Sequence, residues 1–164
     1  MPLLLRKIRK PRWYRTQELS WLSQGEIPAD PLADLSTTSN ELSTWHIEDD
    51  LSNLERVIVA IAGTWDRIDS FDYALFDQRL VEELNIEMQQ TMGDTPDAQA
   101  NHWHRDLVHL SAQRLAELAR AIWMDGRTDR KLQKEIRDAL ARAVSRREID
   151  PNRLKPNVQS QVKA

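Results

Sequence analysis

The chain has 164 residues, 23 Lys/Arg against 26 Asp/Glu, and a formal net charge of −3. Apolar residues make up 40 % and charged residues 30 %, which suits one domain with one core and much polar surface. Without any Cys, it has no disulfide, no thiolate nucleophile and no Cys-ligated metal, a composition expected of a cytoplasmic protein.

Met1-Pro2-Leu3-Leu4-Leu5 offers three leucines before Arg6-Lys7, too few for a secretory or membrane segment. Residues 1–41 are expected as an irregular basic, Trp-containing arm packed on the domain, because Pro11, Gly25, Pro28 and Pro31 interrupt any long element. Residues 42–149 are expected as a single α/β core domain. Leu42 to Ile47 is the first predicted strand, short and rich in Thr, Trp and Ile. Ser52 and Glu55 have capping-box spacing, and Leu54, Ile58 and Ile61 follow at helical spacing. Phe71 to Phe76 is the second predicted strand, Asp77 to Leu84 a short helix, and the alternating Ile86 to Met92 a third strand.

Thr95-Pro96-Asp97 carries a helix-start signal, and Ser111 a second one. Leu115, Leu118 and Ile122 form an apolar stripe ended by Gly126. Thr128 is expected to cap a last helix through Leu132, Ile136, Leu140 and Val144. The two would form a C-terminal helical hairpin, with residues 150–164 as a polar tail. The fold class expected is α+β or small α/β, with about three short strands in one sheet and helices packed on it.

The charge is sorted along the chain. Residues 1–15 hold six Lys/Arg and no acid, residues 16–100 three against eighteen acids, and residues 101–164 fourteen against eight. Such a field either folds its ends onto its middle or offers a basic surface to a polyanion and an acidic one to a protein. In the arm, Arg9, Arg12, Trp13 and Tyr14, with Trp21 further on, are the expected partner contacts.

His102, His104, Asp106 and His109 are the candidate metal ligands, since two imidazoles and a carboxylate in an H-x-H-x-D string can surround one divalent ion. The string resembles the metallo-β-lactamase-type hydrolase motif, which continues with His after the Asp where this chain has Leu107. Glu48, Asp50 and Asp77 at expected strand ends are the alternative ligand set, for Mg²⁺. Helix caps and first-turn acids account for the same residues. No Gly-rich phosphate loop and no G-x-S-x-G elbow occurs.

The sequence reading is therefore a small cytosolic protein-interaction or adaptor module in a larger assembly, or a homo-oligomer, with no membrane contact and no cofactor expected. It leans away from an enzyme. The alternatives are a nucleic-acid-binding protein using the arm, and a metal-dependent hydrolase or nuclease.

Overall fold

The computed structural model describes residues 1–13 and 19–163, with the backbone alone for Lys10. Six strands build one sheet: β1 (Leu3–Lys7), β2 (Leu42–Ile47), β3 (Phe71–Asp77), β4 (Glu87–Gln90), β5 (His104–Val108) and β6 (Arg127–Lys131). Their order is β4-β5-β2-β1-β3-β6, and every neighbouring pair is antiparallel. The expected count of about three strands is therefore half the observed one.

The first strand lies where an irregular arm was expected. β1 pairs on both sides, Leu5 opposite Trp45 of β2 and Leu75 of β3. Successive strand side chains point to opposite faces, so Leu4 and Leu5 each enter a different core, and both are fully buried. A strand buried on both faces needs a continuous apolar run, and Leu3-Leu4-Leu5 supplies it.

One face of the sheet carries α3 (Leu54–Ala62), α6 (Gln133–Ser145) and α7 (Pro156–Lys163), packed on Leu5, Ile47, Phe71 and Leu75. The opposite face carries α1 (Lys10–Trp13), α2 (Ala29–Asp34), α4 (Arg79–Glu83) and α5 (Ala112–Asp125), over Leu4, Leu42, Phe76 and Leu107. The result is three layers, helix–sheet–helix. Ser111 caps α5 as expected, its hydroxyl accepting the Arg114 N–H at 3.2 Å.

Three further expectations are corrected. The α5–α6 hairpin does not form. Residues 127–131 pair as β6 with β3, and the two helices sit on opposite sheet faces. Helix α6 starts after Leu132, whose N–H donates to Glu135, and Leu132 itself is 57 % exposed. The described part of the expected polar tail, residues 150–163, packs on the domain, with Leu154 and Val158 buried in the core.

Among the described residues no helix is long and apolar enough to cross a membrane.

Candidate functional site

The polar segment after β2 shapes an open groove of about 620 Å³. It runs between the Glu48-Asp49-Asp50 turn, the first turns of α3, the C-terminal half of α6 and Trp103. The turn closes with a Leu51 N–H to Glu48 carbonyl bond of 2.9 Å and puts Leu51 at φ 61°. A leucine enters that left-handed region at a cost of about 1 kcal/mol. Packing of Leu51 against the core offsets it. Asn53, buried, holds the turn to the sheet, accepting the Glu48 N–H at 2.9 Å and donating to the His46 carbonyl at 3.0 Å. The expected Ser52–Glu55 capping box gives way to this arrangement, and the Ser52 N–H bonds Asp50 instead. Bonds to Ser52 hold the exposed Asp50 carboxyl below the usual range.

The opposite wall comes from residues 95–103, where a helix was expected. Thr95 and Asn101 bond each other through side chain and backbone, and Asp97 accepts the N–H groups of Gln99 and Ala100. These bonds fold a 3-10 turn over Ala100–Trp103 in place of an α-helix. Asp97 is 1 % exposed and takes a two-pronged ion pair from Arg56, at 2.6 and 3.0 Å. That bond holds the Arg56 guanidinium above its ordinary pKa.

Across the groove Arg142 pairs with Glu55 at 3.1 Å, and Asp49 with the Met1 amino group. The side chains of Arg146 and Glu148 close no hydrogen bond or ion pair among the described residues. The floor is small and apolar, from Val59, Ala139 and Ala143. Nothing in the sequence joined residues 48–56, 97–103 and 139–148, because only tertiary packing brings them together.

The histidine string lies on β5 and its approach. Because β5 is a strand, His104 and Asp106 share a sheet face, and exposed His102 lies in the 3-10 turn. His109 follows the strand, is exposed and pairs with Glu87 at 2.8 Å. Among the described residues no group of three His, Asp or Glu is arranged to hold a metal ion. Of the second ligand set, Glu48 and Asp50 line the groove, whereas Asp77 stands at the end of β3 in a bidentate pair with Arg79. That pair lowers the Asp77 pKa.

Half-buried His104 belongs to a hydrogen-bonded cluster. The Thr91 hydroxyl donates to Asp106 at 2.8 Å, so it accepts from His104 Nδ1–H at 2.8 Å. Ser43 donates to the other Asp106 oxygen at 3.1 Å, and Trp45 meets the imidazole edge-on. Both hydroxyls are spent on the carboxylate, so neither is aimed at the imidazole as a nucleophile would be. Burial lowers the His104 pKa, opposed by the Asp106 charge. A depressed folded value makes the folded chain bind fewer protons, so its stabilising share is whole above about pH 6.5 and fades as pH falls through the folded pKa. Thermal unfolding followed from neutral to mildly acidic pH will show this decline, and His104→Gln will flatten it. A variant with the wild-type slope would count against the buried neutral imidazole.

The expected partner contacts divide. Trp13 is buried and its indole N–H donates to Asp34 at 2.8 Å, so it is a core residue and offers no free ring. Arg9 is exposed, Arg12 half-buried, and Trp21 is 69 % exposed. Tyr14 lies outside the described residues.

No protein-family model matches the chain, and neither does any curated protein or solved structure.

Proposed function

We propose that the protein is an interaction module, working within a larger assembly, that docks a segment of a partner protein in the groove beside Trp103. The single observation behind this reading is that the groove is lined by an aromatic side chain, Trp103, and by a cation and an anion, Arg146 and Glu148, whose side chains close no hydrogen bond or ion pair among the described residues, although the Glu148 charge acts on Arg56 across the groove. Trp and Arg are the side chains that most often dominate protein interfaces. Charges of both signs along one groove select a complementary segment and set its direction. The volume falls in the range of binding clefts, and the small apolar floor leaves room for side chains of the incoming segment.

The test is size-exclusion of tagged protein from its native cell extract, with Trp103→Ala and Arg146→Glu beside the wild type. The wild type will elute in a complex, and each variant will lose its partner with affinity down about tenfold or more. A lone monomer at every salt concentration, or variants that keep the complex, would remove this reading. Arg114→Ala, exposed on α5 on the opposite sheet face and remote from the groove, serves as the control that leaves this complex intact.

A further inference from the structure

The two basic ends of the chain are neutralised differently. In the C-terminal block Arg130, Arg142 and Arg153 pair with Asp72, Glu55 and Asp94 of the acidic middle, at 2.6, 3.1 and 3.6 Å. In the N-terminal block no ion pair closes on Arg6, Lys7, Arg9 or Arg12 among the described residues. These four cations line one recess of about 370 Å³, at the end of β1 and against the α2–β2 connection.

The recess has one carboxylate, Asp34, and it is already engaged. One of its oxygens accepts both the Arg9 N–H, at 2.7 Å, and the Trp13 indole N–H. Arg6 is held by neutral carbonyls, Ser43 at 2.9 Å and Ser36 at 3.5 Å, and its buried Nε has no partner among the described residues. Burial lowers the Arg6 pKa. The Lys7 pKa is lowered by burial and then by repulsion from Arg6 and Arg9, against a smaller attraction from Asp34 and Asp69. The Trp65 ring fixes the Lys7 ammonium at 4.5 Å from its centroid, so the cation is positioned before any ligand arrives. Fixed, closely spaced guanidinium and ammonium groups with too little counter-charge make an anion site. Guanidinium forks suit phosphate oxygens.

We propose that this recess binds the phosphate backbone of single-stranded nucleic acid. A flexible strand can thread a concave recess that the rigid outer curve of a duplex cannot enter. Lys7 also lines a neighbouring recess of about 480 Å³ around Trp65, so the path for the strand continues beyond one phosphate. There the indole is already stacked on Phe71 and covered by the Lys7 ammonium, so it fixes the cation for a second phosphate, while Asp66 and Asp69 along the same recess can accept hydrogen bonds from base N–H groups. The site lies apart from the Trp103 groove and stands or falls without it.

The experiment is a fluorescence-anisotropy titration of the full chain with a labelled oligo-dT of about 20 nucleotides, repeated between about 50 and 200 mM salt. Binding will weaken steeply with salt. Replacing Arg9 and Arg12 together by Ala will weaken it about tenfold at low salt and make the log–log salt slope shallower by about 1.4, two phosphate contacts' worth. Neither side chain closes a hydrogen bond or ion pair among the described residues, and circular dichroism will confirm that the variant is folded. Lys134 and Arg137, exposed on α6 on the other side of the sheet, replaced together by Ala, will bind as the wild type does. No binding at low salt would overturn the proposal, and so would equal losses in the two double variants. Displacement by poly-glutamate as readily as by unlabelled oligo-dT would assign the recess to acidic protein instead, and a blunt duplex bound as tightly would refute the single-strand claim.

Discussion

Leu5→Ala will lower the unfolding free energy by roughly 2–5 kcal/mol, the range for truncating a fully buried leucine. Leu5 sits in the centre of the sheet, 0 % exposed, between Trp45 and Leu75 on the neighbouring strands. Strands β2 and β3 do not touch each other except through β1, so no neighbour can slide in to fill the space. A whole domain holds only about 5–15 kcal/mol of net stability, so this one truncation removes a large share of it. Equilibrium unfolding in urea measures the loss as a lower midpoint at unchanged slope. Removing residues 1–7 goes further, because it bares the pairing edges of two central strands at once, and the chain will lose cooperative unfolding altogether. A change below about 1 kcal/mol for Leu5→Ala, or a truncated chain that still melts sharply, would contradict β1 as the central strand. The same placement decides how the basic recess is studied. Deletion of the N-terminal block destroys the sheet together with the recess, so only point substitutions at Arg9 and Arg12 separate binding from folding.

The elements legible in the sequence are those whose own residues carry the signal. Leu42–Ile47 and Phe71–Asp77 are apolar and β-branched or aromatic, and helix α5 has a Ser cap and a clear apolar stripe. The strands that escaped notice are held by pairing rather than by composition. β5 reads HRDLV and β6 reads RTDRK, with charged side chains where a strand usually shows branched or aromatic ones. A ladder needs only backbone N–H and C=O groups. Charge on the edge strand β6 is even useful there, because it discourages pairing with a second molecule. β1 was masked by its neighbours, since three leucines between a proline and a cationic run resemble an arm until something is packed on both of their faces. For α6, four-residue spacing extended the expected helix one turn too far, and Leu132 took the place just outside the first turn.

The candidate site was less legible than the fold. Glu48 and Asp50 stood out as acids after a strand, but their groove partners come from segments 50 to 100 residues away. Trp13 shows the converse error. An aromatic ring among arginines looks like a stacking platform, and the fold instead spends its N–H on Asp34 and its ring on the core. The histidines are close in sequence but belong to different elements, His102 to the 3-10 turn, His104 to β5 and His109 to the bend beyond it, so among the described residues they do not converge on one ion.

Arg56→Met will cost about 3 kcal/mol, the second-largest single effect expected. Asp97 is 1 % exposed, and Arg56 is its only cationic partner among the described residues. Removing the guanidinium leaves a carboxylate inside the protein with two backbone N–H groups and no counter-charge, a worse state than a pair never formed. The expected loss sits at the lower end of the range for buried pairs, because the Arg56 side chain keeps 32 % of its surface in water. Asp97→Asn will cost less. The amide oxygen can still accept from Gln99 and Ala100, and no buried charge is stranded. Combining Arg56→Met with Asp97→Asn will therefore be less damaging than the sum of the single changes, a coupling that urea unfolding of the four proteins measures directly. An Arg56→Met chain within about 1 kcal/mol of wild type, or strict additivity in the cycle, would show that the pair does not brace the 95–103 segment. Because Asp97 also caps the turn that carries Trp103, the same cycle read by partner binding joins stability to function. Arg56→Met will loosen the Trp103 wall and weaken docking in the groove, while leaving the oligo-dT affinity of the recess at the far end of β1 unchanged.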